Sequence, residues 1–159
     1  MPYMIDGHNL IGAHPGISLD DPEDELQLVQ ALQAFAGRKG RSIWVYFDGA
    51  DPASPKSLRA GRVQARFVTP PRTADDAICA HLRRLKGEAS NWTVVSSDRE
   101  VSQIARQVGA RVLSSQEFIQ RLAEAYDEQP EEKPAANLTA EELETWQRIF
   151  RTRDGDEGT

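Results

Sequence analysis

Five aspartates of this chain fall where alternating strands and helices would gather them. Asp6 directly follows the apolar run Tyr3-Met4-Ile5. Asp48 follows Ile43-Trp44-Val45-Tyr46-Phe47, and Asp98 follows Val94-Val95-Ser96-Ser97. Asp75 and Asp76 stand in the first turn of a helical pattern that comes after a further strand-like run. In an open parallel sheet all strands end at one rim, and ligands bind outside those carboxyl ends, so residues distant in sequence arrive at one place. Each aspartate alone also suits a turn or a helix start. Together they repel, unless something positive sits among them. A hard divalent cation with oxygen ligands, Mg2+ or Mn2+, is the solution such a group invites. The metal-ligand set expected is therefore Asp6, Asp48, Asp75, Asp76 and Asp98. The matching chemistry is in-line displacement at phosphorus, where one or two cations ease deprotonation of water and stabilise the crowded transition state.

Neighbouring polar residues have two readings each. Asn9 could orient a ligand or phosphate from the same loop as Asp6. Ser96 and Ser97 could bond a carboxylate or a phosphate, or serve a strand end and a helix cap. His8, beside Asp6, could touch substrate or face solvent. Other site chemistries are poorly supplied. His8, His14 and His81 share no metal-ligand spacing, no serine sits in a nucleophile elbow, and no glycine-rich phosphate cradle is present. An aspartyl-phosphate mechanism would want a second Asp two residues after Asp6, and position 8 is His.

The elements that must position these groups follow an α/β rhythm. Strands are expected at Tyr3–Ile5, Ile43–Phe47, Val63–Val68, Trp92–Val95 and Arg111–Leu113, giving a central parallel sheet of about five strands. The Ile43–Phe47 run is nearly all apolar, as in a central strand covered on both faces. Val63–Val68 alternates and suits a place nearer an edge. Helical spacing runs over Glu25–Phe35, Thr73–Lys86, Arg99–Val108 and Ser114–Tyr126, the last opened by a Ser114/Glu117 capping box. An α/β domain over 1–126 would be followed by an acidic, proline-containing linker at 127–138. A C-terminal helix at 139–153 carries Trp146 on its apolar side, and a disordered tail is expected at 154–159.

Composition bounds the rest. The 159 residues include 19 Lys+Arg against 25 Asp+Glu, a net charge of −6, with 39% hydrophobic and 28% charged residues, which suits a folded soluble protein. Cys79 is the single cysteine, so no internal disulfide and no cysteine zinc site are expected. No apolar stretch reaches the ~18 residues of a membrane span, and the start lacks the character of a secretion signal, so a cytoplasmic setting is expected. Yet from Ala53 to Ala74 there is no acidic residue, while Lys56, Arg59, Arg62, Arg66 and Arg72 are present. Local asymmetry of that kind marks a phosphate-binding surface. Lys56 to Arg62, with nearby Pro, Ser and Gly, is expected to be a mobile basic loop able to close on a phosphate-bearing strand.

Four motifs stand in order: Ile5-Asp6-Gly7-His8-Asn9-Leu10-Ile11, Tyr46-Phe47-Asp48-Gly49, Thr73-Ala74-Asp75-Asp76-Ala77-Ile78 and Val95-Ser96-Ser97-Asp98-Arg99-Glu100. Over roughly residues 2–126 they resemble the NYN branch of the PIN-like nucleases, most of all the YacP-like family, which includes a ribosome-associated endoribonuclease. The resemblance implies a three-layer PIN-like fold, with Asp6, Asp48, Asp75 and Asp98 as the catalytic acids and Asn9 accompanying the first. Asp76 then takes a supporting or second-metal place. His8 departs from the pattern, since relatives of this type often have tyrosine there. The expected activity is metal-dependent cleavage of single-stranded RNA, with RNA and the translating ribosome as partners and no membrane. Two rival readings stand beside it. One is a non-catalytic RNA- or ribosome-binding module, which gains nothing from acids facing phosphate. The other is a DNA-directed 5′-nuclease, for which so short a chain has no threading insertion.

Overall fold

The computed structural model describes residues 2–53 and 55–127. Its elements are β1 (Tyr3–Asp6), α1 (Gly7–Ala13), α2 (Asp24–Lys39), β2 (Ile43–Phe47), β3 (Ser57–Ala60), β4 (Val63–Phe67), α3 (Ala74–Leu85), a 3-10 turn (Lys86–Asn91), β5 (Thr93–Val95), α4 (Arg99–Gln107), β6 (Arg111–Leu113) and α5 (Ser115–Asp127). The sheet has six strands in the order β3-β4-β2-β1-β5-β6. All neighbours are parallel except β3 and β4.

Side chains alternate across each strand and so divide the core between two faces. Ile5, Val45, Phe47, Ala65 and Val95 pack with α1, α2 and α5 through Leu10, Leu32, Phe35 and Phe118. Met4, Tyr46 and Val94 pack on the other face with Ile78 and Leu82 of α3 and Val101 of α4. The result is the three-layer α/β arrangement expected. All the expected strands match to within a residue at each end, and β2 and β6 coincide with the expected runs.

The sheet departs from expectation at its edge. Residues 57–60 form β3, antiparallel to β4, in place of the mobile loop that composition suggests. The sequence Ser-Leu-Arg-Ala lacks the β-branched and aromatic residues that mark strands. The turn explains the pairing. Ala60 faces Val63, so only Gly61 and Arg62 lie between the strands. Gly61 takes φ +60°, as a two-residue hairpin requires of its first position. The short helix α1 also goes beyond the sequence pattern. It follows β1 with no intervening loop, and Asp6 caps it. The linker expected at 127–138 gives up its first residue, Asp127, to α5; the rest of it, the Trp146 helix expected at 139–153 and the tail at 154–159 lie outside the described residues.

One contact fixes how β1 turns into α1. Gly7 lies against the fully buried ring of Phe47, and a Cβ there would also come within 2.9 Å of the Tyr46 carbonyl. Neither neighbour can retreat from a packed core without cost. Gly7→Ala is therefore expected to destabilise the fold by about 1–3 kcal/mol, read as a lower denaturant midpoint at unchanged slope. An unchanged midpoint would contradict the contact.

Candidate functional site

β1 is the switch point of the sheet, since β2 lies on one side of it and β5 on the other. A crevice opens outside the carboxyl ends at such a point. Asp6 ends β1, Asp48 follows β2 and Asp98 follows β5, so all three flank it. Asp75 enters from the first turn of α3.

Asp6 is only 7% exposed. Its carboxylate caps α1 weakly, accepting from the Asn9 amide at 3.4 Å. Burial raises its pKa from 3.8 to about 7, assisted by a hydrogen bond to the Asp75 carboxyl and by the charges of Asp75 and Asp48, against the lowering effect of the Asn9 amide. Asp75 is also raised. Burial leads, the hydrogen bond with Asp6 opposes, and the charges of Asp98, Asp48 and Glu100 add to the rise. Four aspartates thus act on one another across the rim, and Glu100 is a further acid that the sequence pattern alone does not place there.

The remaining groups are held by local structure. Asp98 caps α4 through the Val101 amide at 3.0 Å. Asp48 accepts from His8 Nδ1 at 2.9 Å and from the Ala74 amide at 3.5 Å. His8 Nε2 meets Glu25 at 2.6 Å. Burial opposes a charge on that imidazole, but the hydrogen bonds and charges of Glu25 and Asp48 prevail and raise its pKa to about 9. His8 is therefore an imidazolium clamped between two carboxylates, which fits a role in positioning Asp48 better than contact with a base. Glu25 is 4% exposed and is not among the residues that motif spacing singles out. The available signal is its helical register with Leu28, Val29 and Leu32, which puts an acid on the buried stripe.

Asp76 sits differently from the other acids. Its carboxylate accepts from the Thr73 amide while its own amide bonds Thr73 Oγ1, a reciprocal cap at the start of α3. Ser96 is 1% exposed, and its hydroxyl accepts from the Asp98 amide, so it shapes the β5–α4 turn instead of facing a strand of RNA. The cap of α4 is the Asp98 side chain, not Ser97. Asn9 joins three elements. Its Oδ1 accepts from the Ser97 amide at 3.0 Å and from the Ser115 hydroxyl. Ser97 Oγ in turn accepts from the Ser115 amide and donates to Gln116.

The basic segment divides. Lys56, Arg66 and Arg72 line a cavity of about 290 Å³ with Tyr46 and Arg84. Arg59 and Arg62 line another, about 520 Å³, with Trp44 and Gln64. Gln64 pairs with Trp44, and Val63 with Ile43 at the start of β2, so Arg59 and Arg62 lie toward the end of the sheet opposite the aspartates. The basic segment is therefore not one loop surface beside the site.

Among the described residues no three His, Cys, Asp or Glu side chains close around one point as a ready metal cage. The oxygen donors nonetheless suit a hard cation. Magnesium takes one or two carboxylates and keeps several waters, so an open rim is compatible with it.

A sequence model of the YacP-like NYN domain matches residues 3–151. The chain belongs to that family. No curated protein matches it. The crystal structure of Rae1 (YacP) from Bacillus subtilis is similar at TM-score 0.67 and 24% identity, covering 98% of this chain and 96% of that one. A tryptophan-to-leucine mutant of the same protein gives TM-score 0.68 and 22% identity over the same shares. These likenesses establish the YacP-like fold, and family membership points to a nuclease-type function on RNA. Among the described residues no helix is long and apolar enough to cross a membrane.

In this YacP-like chain the Asn9 tie holds α1, the β5–α4 turn and α5 in one frame. Asn9→Ala would leave the exposed Ser97 amide and the buried Ser115 hydroxyl without their acceptor. A buried donor stripped of its partner costs about 1–3 kcal/mol, so chemical unfolding should show a loss of that size. A variant as stable as wild type would remove Asn9 from this positioning role.

Proposed function

We propose that the chain is a metal-dependent endoribonuclease that hydrolyses phosphodiester bonds in single-stranded RNA, using Mg2+ or Mn2+ at the rim formed by Asp6, Asp48, Asp75 and Asp98. The observation that carries this reading is the state of Asp6. A carboxyl buried at 7% exposure, raised to about 7 and bonded to another carboxyl is costly to keep ionised unless a cation neutralises it. Family membership supplies RNA as the substrate class.

Asp6 and Asp75 would hold the cation from the centre, with Asp48 and Asp98 on either side. When bound, the cation supplies charge for the phosphate oxygens and a lowered pKa for the attacking water. The chain's own residues keep the geometry. The His8–Glu25 pair fixes Asp48. Capping by the Val101 amide occupies one oxygen of Asp98 and orients the carboxylate. The Asn9 tie sets the spacing between α1 and the β5–α4 turn. Asp76 belongs to the start of α3 and serves the site by fixing Asp75. Lys56 and Arg72, both exposed near the rim, would meet the substrate backbone. The same reading extends to RNA presented on a ribosome in the cytoplasm, on the strength of the resemblance of the four motifs.

Cleavage of labelled single-stranded RNA, with and without ribosomes, tests this directly. Wild type should cut in Mg2+ or Mn2+ and stop when the metal is chelated. Asp6→Asn and Asp98→Asn should each lower the rate by about 10²–10³, the scale of one lost electrostatic stabiliser, with folding retained. RNA or ribosome binding without cleavage, unaltered by either substitution, would replace the nuclease with a binding module.

A further inference from the structure

The sheet face beside α3 carries a second unbalanced charge set, and this one is positive. On β2 and β4 the residues turned to that face pair as neighbours, Tyr46 with Arg66 and Trp44 with Gln64. β3 adds Arg59 opposite Gln64. α3 packs over β1 and β2, and the two basic cavities lie over the strands beyond it. Lys56, Arg66, Arg72 and Arg84 surround the cavity nearer the aspartates. Arg59 and Arg62 border the far one.

Three observations indicate that these cations await a polyanion. First, none of the six basic side chains forms an ion pair with a described carboxylate. Second, Arg66 links the cavities. Its guanidinium lies 4.8 Å from the centroid of the Trp44 ring, and its Nε is buried without a hydrogen-bond partner. A guanidinium held by a ring and not by an acid keeps its charge available. Third, Arg66, Arg72 and Arg84 all act on the Tyr46 hydroxyl, and Arg66 and Arg84 reinforce burial in holding His81 neutral. Their fields therefore converge on one spot. Arginine forks match phosphate oxygens, and clefts lined by one sign of charge concentrate the opposite one.

Spacing joins the cavities into a path. The Tyr46–Arg66 and Trp44–Gln64 pairs lie two residues, or ~7 Å, apart along the strands. Tyr46 also stands two residues before Asp48, so the path begins at the acidic rim.

We propose that a single RNA strand leaves the acidic rim along this face of β2, β4 and β3. One backbone phosphate sits among Lys56, Arg66, Arg72 and Arg84, and a later one sits beside Arg59 and Arg62. The path takes its ligand from the ribonuclease reading above, but it does not depend on cleavage.

The test is binding of labelled single-stranded RNA oligonucleotides of increasing length to the full chain, in chelator, followed by fluorescence anisotropy across salt concentrations. Lys56→Gln with Arg72→Gln, both exposed positions, should weaken oligonucleotides of every length that binds. The salt slope should fall by about 0.7 for each phosphate that is no longer neutralised. Arg84→Gln should act the same way. Arg59→Gln with Arg62→Gln should weaken only oligonucleotides long enough to reach the far cavity. Arg106→Gln, at the far end of α4, should bind as wild type does. Equal losses in Arg106→Gln, or no losses on the face, would overturn the path. Wild-type cleavage combined with unchanged binding by the face variants would overturn the path alone and leave the nuclease reading standing. Length-dependent loss of binding without any cleavage would keep the path and remove the nuclease.

Discussion

Repulsion among carboxylates at the switch point of the sheet is the constraint on which the rest depends. Parallel pairing of β1 with both β2 and β5 brings Asp6, Asp48 and Asp98 to one rim whether or not that is electrostatically favourable. The fold meets the cost by restraining each acid separately. Asp98 is turned into a helix cap, Asp48 is bonded to an imidazolium, and Asp6 and Asp75 share a hydrogen bond that keeps one of them from ionising readily. A site restrained this way costs stability in the metal-free protein, and sites that do chemistry commonly break local rules at such a cost.

Around that rim the molecule separates its charges. Its net charge of −6 hides a sheet face with six cations that no described carboxylate pairs, and the two regions adjoin where β2 ends. On the nuclease reading proposed above, that separation would assign the chemistry to one region and the grip on the strand to another. The acidic rim alone would repel phosphate, and a basic face alone would have no means of cutting it.

Much of the fold is legible in the sequence because it rests on apolar runs. The buried strands β1, β2 and β5 are short hydrophobic segments, and their alternation fixes both core faces, so the positions of the aspartates follow from sequence order. β3 is not legible, because Ser57–Ala60 gains strand structure from its hairpin with β4 and from the Gly61 turn, not from its own composition. The same hairpin sends Arg59 and Arg62 away from the rim, and no linear charge count contains that reversal. Asp76 and Ser96 look equivalent to their neighbours in sequence, yet one residue's shift on a helix or a turn separates a carboxyl facing Asp6 from one capping Thr73. Glu25 and Glu100 escape the pattern because their roles depend on contacts across the chain, with His8 and with Asp75. The similarity to Rae1 (YacP) from Bacillus subtilis accounts for the architecture at 24% identity, while the balance of charges comes from this chain's own residues.

The most direct measurement is the thermal unfolding midpoint of wild type and Asp6→Asn near pH 8, each with and without Mn2+. Because the Asp6 pKa is raised in the fold, from 3.8 to about 7, its ionisation removes stability as pH rises through that window and the loss is complete at pH 8. Asp6→Asn should therefore melt at a higher temperature than metal-free wild type. Mn2+ should raise the wild-type midpoint and leave the variant nearly unchanged. If Asp6→Asn instead melts lower than wild type without metal, and Mn2+ moves both equally, the acids at this rim are neither mutually repelling nor a cation site.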